Sequence, residues 1–73
     1  MTIKKLLKKL ARPVDLITID NEGEFNITIS GFDTDLLSES NLSLAVRSWE
    51  VRVDIVQKSL CEIDIVYRLV IEV

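Results

Sequence analysis

The side chains in this sequence that could take part in catalysis or metal binding are one thiol and several paired carboxylates. Cys61 is the sole cysteine, and the chain contains no histidine to activate it as a nucleophile. The alternation around Cys61 places it on the apolar side of a strand, which favours a packed thiol over a catalytic one. The sequence therefore predicts a protein that is not an enzyme and uses no cofactor.

The paired carboxylates are candidates for binding a divalent cation. Glu22 lies two residues before Glu24, and Asp33 two residues before Asp35. A calcium loop also requires a glycine at its sharp turn and a distal glutamate, and neither pair has both at the required spacing. One cysteine without histidine provides no zinc ligand set. We therefore predict no metal site.

Charge is sorted along the chain into basic and acidic blocks. Residues 1–12 carry five basic side chains and no acid, whereas residues 13–46 carry seven acids and no base. Such blocks create a local field that favours a partner of opposite charge. The predicted partner-binding residues are Asp20, Glu22, Glu24, Asp33, Asp35 and Glu39. The alternative interpretation is a solvated rim, because exposed turns favour Asp and Asn in any case.

An acidic surface offers carboxylates where a nucleic-acid-binding site expects phosphates. The predicted partner is therefore a protein with a basic channel, such as a host nuclease or defence complex, and not nucleic acid itself. Trp49 is a rival anchor for a protein partner if it is exposed, although its phase along the chain matches the predicted core.

Size and composition indicate a small folded domain. The chain has 73 residues, 48% of them hydrophobic, and a formal net charge of −3. Its apolar runs are far shorter than the roughly 20 residues that cross a bilayer. The basic start lacks the apolar segment of a secretory signal, so we expect a cytoplasmic protein with a single domain over residues 1–73. So small a core predicts that a partner or a second copy completes its burial, which makes a homodimer one expectation.

An amphipathic helix is predicted over residues 2–11. Apolar side chains from Ile3 to Leu10 recur at helical spacing, with lysines on the other side. Thr2 is a suitable N-cap, and Pro13 prevents continuation of the helix. We expect the apolar side to cover a sheet, in preference to contacting a membrane or nucleic acid.

A first hairpin is predicted to follow the helix. Residues 14–20 read as a strand, and residues 25–30 alternate apolar and polar side chains as a second. Asn21, Glu22 and Gly23 between them are turn-forming residues.

A connector then leads to the second half of the predicted sheet. Residues 31–41 are rich in Asp, Ser and Asn, which indicates loop structure with one short helical turn capped by Asp33. The apolar alternation that begins at Leu42 changes phase further along. A one-residue bulge near Arg47 and Ser48 would keep both halves of this strand on the same face.

The last two strands form the second predicted hairpin. A three-residue loop would place Ile55 opposite Cys61, and a five-residue scheme would place it opposite Ile63. Both registers keep the odd-numbered apolar residues on one face. Val66 and Val70 interrupt the polar positions of the other face, which predicts a self-association contact there.

The predicted fold is α+β, with the N-terminal amphipathic helix packed on a four-stranded antiparallel sheet built from the two hairpins. The predicted core combines helix leucines with odd-numbered strand residues: Leu6, Leu7, Leu10, Phe25, Ile27, Ile29, Trp49, Val51, Val53, Ile63, Ile65 and Tyr67.

The opening MTIKKLLKKL, followed by a short strand, an acidic turn and further strands, resembles small proteins encoded by phages and prophages. That set includes anti-CRISPR and other anti-defence inhibitors. The resemblance covers the layout of the whole chain and includes no specific motif, so it assigns no functional residue. It implies a small phage accessory protein that inhibits a host defence complex by surface contact. The alternative is a self-associating structural or regulatory module.

Overall fold

The computed structural model describes residues 1–10 and 13–73. Its four strands form one sheet in the order β2-β1-β4-β3. The elements, in chain order, are α1 (Ile3–Lys9), β1 (Leu16–Asn21), β2 (Phe25–Ser30), a 3₁₀ turn (Thr34–Leu36), α2 (Glu39–Leu42), β3 (Ser48–Gln57) and β4 (Ile63–Glu72).

The sheet is mixed, so the predicted antiparallel sheet is wrong. Both predicted hairpins are confirmed, since β1 pairs antiparallel with β2 and β3 with β4. However, β4 lies parallel to β1 in the middle of the sheet. Alternation along a strand specifies which face is buried, but it does not specify which strand lies alongside or in which direction that strand runs. The α+β class was therefore predictable from alternation, and the strand order was not.

The two central strands differ in sequence from the two edge strands. β1 contains three consecutive buried residues, Ile17, Thr18 and Ile19. β4 carries Val66 and Val70 at positions where alternation would place polar residues. Near-continuous apolar runs are typical of strands that are shielded on both faces. β2 and β3, at the edges, alternate over most of their length.

Helix α1 is shorter than predicted. Thr2 caps it as predicted, with its Oγ1 accepting a hydrogen bond from the Lys5 amide at 3.3 Å. Seven residues give α1 a length of about 10 Å. The predicted end of the helix at residue 11, and the basic side chain of residue 12, lie outside the described residues. Such a short helix covers only one end of the sheet.

The buried core is one cluster beneath α1. Its members come from α1, the chain around β1, the connector and the last part of β4: Ile3, Leu6, Val14, Ile17, Ile19, Leu37, Leu69 and Ile71. Five predicted core residues lie at its margin, partly buried: Leu7, Leu10, Phe25, Ile27 and Ile29.

The remaining predicted core residues are exposed, which corrects the prediction for half of the core. They are Trp49, Val51, Val53, Ile63, Ile65 and Tyr67. These side chains lie on the face that was predicted to be buried. They are exposed because the core cluster beneath α1 draws on only the last part of β4.

The segment predicted as a bulged strand is a short helix followed by a loop. Leu42 ends α2, and Ala45 forms an isolated antiparallel bridge with Thr2. β3 begins only at Ser48. The bulge predicted near Arg47 is therefore wrong, because the phase change there marks the start of the strand.

The connector passes close to the start of β1. The Gly31 amide donates a hydrogen bond to the Asp15 carbonyl at 2.9 Å. A Cβ atom on Gly31 would lie 1.7 Å from the Val14 carbonyl oxygen, so the close approach requires glycine. The short helical turn predicted after Asp33 is confirmed, although the Asp33 side chain does not cap it.

β3 and β4 pair in a register that differs from both predicted ones. Ile55 lies opposite Ile65, Gln57 lies opposite Ile63, and residues 58–62 connect the strands. Each predicted register differs from this one by an even number of residues, so the odd-numbered residues remain on one face. The connection contains neither glycine nor proline, and so no turn residue revealed the register in advance.

Candidate functional site

Strands β3 and β4 continue past the start of β1 as a two-stranded arm. β1 pairs with β4 from Arg68 to Glu72, so residues 53–67 extend beyond it with no third strand among the described residues. Asp15 binds β4 at the junction where the arm leaves the rest of the sheet. Its carboxylate accepts a hydrogen bond from the Tyr67 amide at 2.8 Å, and its own amide donates to the Tyr67 carbonyl at 2.9 Å. We call residues 53–67 the arm.

One face of the arm and its base is apolar and exposed. On this face Leu69 and Ile71 are fully buried in the core cluster. Further along the same face the side chains are uncovered, with exposed fractions that reach 73% at Ile55 and 69% at Ile63. We call the apolar members of this set the arm face: Trp49, Val51, Val53, Ile55, Ile63, Ile65 and Tyr67. Gln57, opposite Ile63, is a polar, uncharged side chain on the same side.

The charges of the arm lie mainly on the opposite face and are held in local pairs. Two exposed ion pairs, Arg52–Glu50 and Lys58–Asp64, have N–O distances of 2.6 and 3.1 Å. A third, Arg68–Asp54, is partly buried and has a distance of 3.5 Å. Exposed pairs of this kind contribute little to stability. Their placement nevertheless leaves the arm face free of charged side chains.

A two-stranded arm with a bare apolar face is poorly stabilised on its own. An isolated hairpin is marginal in water, and independent stability usually requires a third strand or a packed layer. At the tip, Leu60 is 97% exposed. A contiguous apolar patch of this kind marks a surface for interaction.

An apolar recess lies at the foot of the arm. It is lined by Pro13, Val14, Val51 and Tyr67. Because Val51 and Tyr67 also belong to the arm face, the recess and the arm face form one continuous surface.

The predicted acidic partner-binding residues lie in two separate places. Three are at the β1–β2 turn: Asp20, Glu22 and Glu24. Three are in the connector beyond the other end of β2: Asp33, Asp35 and Glu39. The length of β2, about 17 Å at the usual rise per strand residue, separates the two groups.

The acids at the β1–β2 turn lie where acidic side chains outnumber basic ones. Asp20, Glu22 and Glu72 line one recess together with Arg47. The Arg47 guanidinium lies 3.9 Å from the Glu22 carboxylate. Glu24 is exposed on the same turn, where its carboxylate accepts a hydrogen bond from the Asn21 side chain at 3.4 Å.

The acids of the connector lie beside basic residues. Asp35 and Glu39 line a groove with Lys4 and Lys8 of α1. The floor of this groove includes Leu7, so the basic and acidic blocks of the sequence meet across an apolar strip. The lining of this groove therefore includes two acids and two bases, whereas that of the recess at the β1–β2 turn includes three acids and Arg47.

The two valines predicted to mediate self-association lie on the charged face. Val66 is opposite Asp54, and Val70 lies between Thr18 of β1 and Glu50 of β3. Both valines are half-buried. The larger exposed apolar surface is on the other side of the sheet, in residues that alternation assigned to the core.

Cys61 is exposed in the 58–62 connection, so the prediction of a packed thiol is wrong. The reason is that β4 begins only at Ile63, beyond the cysteine. Among residues 1–10 and 13–73, no group of three or more His, Cys, Asp or Glu side chains is placed to hold a metal ion. Within the same residues, no helix has the length and apolar character needed to cross a membrane.

Comparisons with protein-family models, curated proteins and solved structures find no match to this chain. Its function is therefore inferred from the chemistry of its own surfaces.

The lengths of the predicted helix and of the long strands, compared with each other, would have indicated from the sequence that the arm face is uncovered. Alternation is identical in a covered strand and an uncovered one, so it cannot tell them apart. The predicted helix over residues 2–11 would span about 15 Å, whereas a ten-residue strand such as β3 extends about 33 Å. One such helix leaves a large part of each long strand without cover.

Proposed function

We propose that this protein is a non-enzymatic binding module that works by protein–protein contact through the arm face. The observation that supports this most is the set of seven exposed apolar side chains on one side of the arm and its base. Tryptophan and tyrosine are enriched among the residues that dominate interface energetics, and Trp49 and Tyr67 are both half-exposed on this face.

A module of this kind acts by occupying a surface, and it needs no catalytic group or cofactor for that task. The proposal includes a cytoplasmic location. A reducing compartment would keep the exposed thiol of Cys61 free.

Two neighbouring residues on opposite faces of β4 test the proposal. Ile65 is on the arm face and 52% exposed, whereas Val66 is half-buried on the charged face. We expect Ile65→Lys to abolish capture of protein partners, including untagged copies of the chain, because it places a charge in the contact. Val66→Lys should retain them. Quantitative affinity capture with both variants measures the difference.

The reverse result would contradict the arm face as the binding surface. Partners lost with Val66→Lys but kept with Ile65→Lys would instead support the self-association contact predicted through Val66 and Val70. Circular dichroism of both variants checks that the fold is retained.

A second candidate function is the phage-type inhibitor that acts on a basic nucleic-acid-binding site. The acidic β1–β2 turn favours it, because Asp20, Glu22 and Glu72 line one recess there together with Arg47. In this proposal the turn enters the basic channel of a host nuclease or defence complex. The connector acids contribute less, since Lys4 and Lys8 lie across the groove from them.

Charge reversal at the turn tests the inhibitor proposal. Glu22→Lys combined with Glu24→Lys changes exposed side chains, so the free energy of unfolding should stay within about ±0.5 kcal/mol per site. Binding to a host complex recovered with the wild-type chain should fall, and wild-type binding should weaken as salt screens exposed charges. The matched control is Asp33→Lys with Asp35→Lys in the connector. Binding that is insensitive to both salt and the turn reversal would exclude an acidic contact.

A further inference from the structure

We propose that a second copy of this chain covers the arm face, with the two arms packed face to face and antiparallel about a two-fold axis. This inference rests on the proposed function of the arm face and names its partner.

The accessible surface of the chain is larger than that of a typical monomer of its mass. It measures 5324 Å². The usual scaling gives about 4,600 Å² for a folded monomer of 8.3 kDa. The surplus of about 700 Å² is close to the roughly 800 Å² that each partner buries in a standard interface. Pairing through the arm face would account for it.

The arm face also has room for a second layer. Over the base of the sheet that layer is α1, whose diameter with side chains is about 10 to 12 Å. Two sheets pack face to face at a similar separation, about 10 Å. The arm of a second copy would therefore occupy the same layer as α1, beside the helix and over the uncovered strands.

The chemistry of the arm face fits a second copy better than nucleic acid or a membrane. Two copies of an uncharged face meet without burying an unpaired charge. Nucleic acid and anionic membranes both require clustered cations. The charges of the arm are instead mixed in sign and held in local ion pairs.

The two ends of the arm are complementary to each other. Leu60 at the tip is the most exposed of the described large apolar side chains. The recess at the foot is apolar and includes Val51 and Tyr67 of the arm face. In an antiparallel pair, the tip of each arm lies at the foot of the other. Both Leu60 side chains then reach a recess, which gives the two equivalent contacts that two-fold symmetry requires.

Adjacent residues on opposite faces of β3 provide the test. Ile55 is 73% exposed on the arm face, and Val56 is 45% exposed on the charged face. The molar mass of both lysine variants and the wild type is measured by light scattering over a dilution series. We expect the wild type and Val56→Lys to have a molar mass of twice the 8.3 kDa of one chain. Ile55→Lys should raise the dimer dissociation constant by about 30-fold or more, because each dimer carries the added charge twice.

Binding of a hydrophobic dye separates failure of this inference from failure of the proposed function. If the wild type has the mass of one chain at every concentration in the dilution series, the proposed dimer is wrong. If that monomer binds the dye and Ile55→Lys abolishes the binding, the arm face is exposed in solution, and the proposed function stands with a partner other than a second copy. A monomer that binds no dye contradicts the proposed function as well. A dimer that is dissociated by Val56→Lys and not by Ile55→Lys overturns the arm-face contact.

Discussion

Leu6 and Leu7 show how steeply burial changes between neighbouring residues of α1. Leu6 is 2% exposed within the core, whereas Leu7 is half-buried at its margin. Leu6→Ala should lower the free energy of unfolding by about 2 to 5 kcal/mol, because the truncation leaves a cavity in a packed core. Leu7→Ala should cost clearly less. Chemical denaturation of the two variants measures both losses, and equal losses would contradict the orientation of α1.

Single residues were predictable from the sequence wherever a local rule decides the outcome. Thr2 caps α1 as predicted, and Gly23 adopts a φ of 81° in the β1–β2 turn, where glycine is favoured. Cys61 was not predictable in this way. Its environment depends on the residue at which β4 begins, and nothing in the 58–62 connection specifies that point.

At the scale of elements, Asp15 holds the point where the arm leaves the sheet. Its carboxylate accepts the hydrogen bond of the Tyr67 amide, which lies just beyond the last pair between β1 and β4. Asp15→Ala removes this acceptor, so the Tyr67 amide should exchange its hydrogen faster as the junction opens. Asp15→Asn keeps an acceptor oxygen and should retain most of the protection. Amide exchange measured by NMR would contradict this role if the alanine variant matched the wild type.

The elements themselves were largely predictable, and their arrangement was not. Alternation identified the strands of both hairpins, and turn residues marked the first connection, because those signals are local. The parallel pairing of β1 with β4 joins residues as far apart as Leu16 and Arg68, and no local signal encodes it. Val66 and Val70 carried part of the information, since apolar residues on both faces suit a central strand. They were interpreted as a dimer contact instead.

At the scale of the whole molecule, the fold redistributes the charge that the sequence sorts into blocks. The basic helix and the acidic connector share one groove, so part of each block offsets the other. At the β1–β2 turn, Asp20 and Glu22 lie with Glu72 around one recess that Arg47 also lines. Sequence blocks are a guide to surface charge only when the fold keeps the members of a block together, and here β2 separates them.

The shape of the molecule follows from unequal coverage of its sheet. Its principal extents are 42 × 28 × 20 Å. One short helix and a small core hold one end of the sheet, and the arm extends from the other. Pairing of two arms would give each the second layer that α1 provides over the base.

The distance between labels on the two Cys61 side chains tests this pairing most directly. Cys61 is the sole cysteine and is exposed near the tip of the arm, so a spin label attaches at one defined place. Antiparallel arms place the two tips at opposite ends of the contact, which predicts a separation of roughly 25 Å from the strand rise and the spacing of packed sheets. Pulsed dipolar spectroscopy measures that separation in the wild-type chain. A distance near 25 Å is the result expected for face-to-face arms. No coupling between chains, or a much shorter distance from tips that meet, would contradict it.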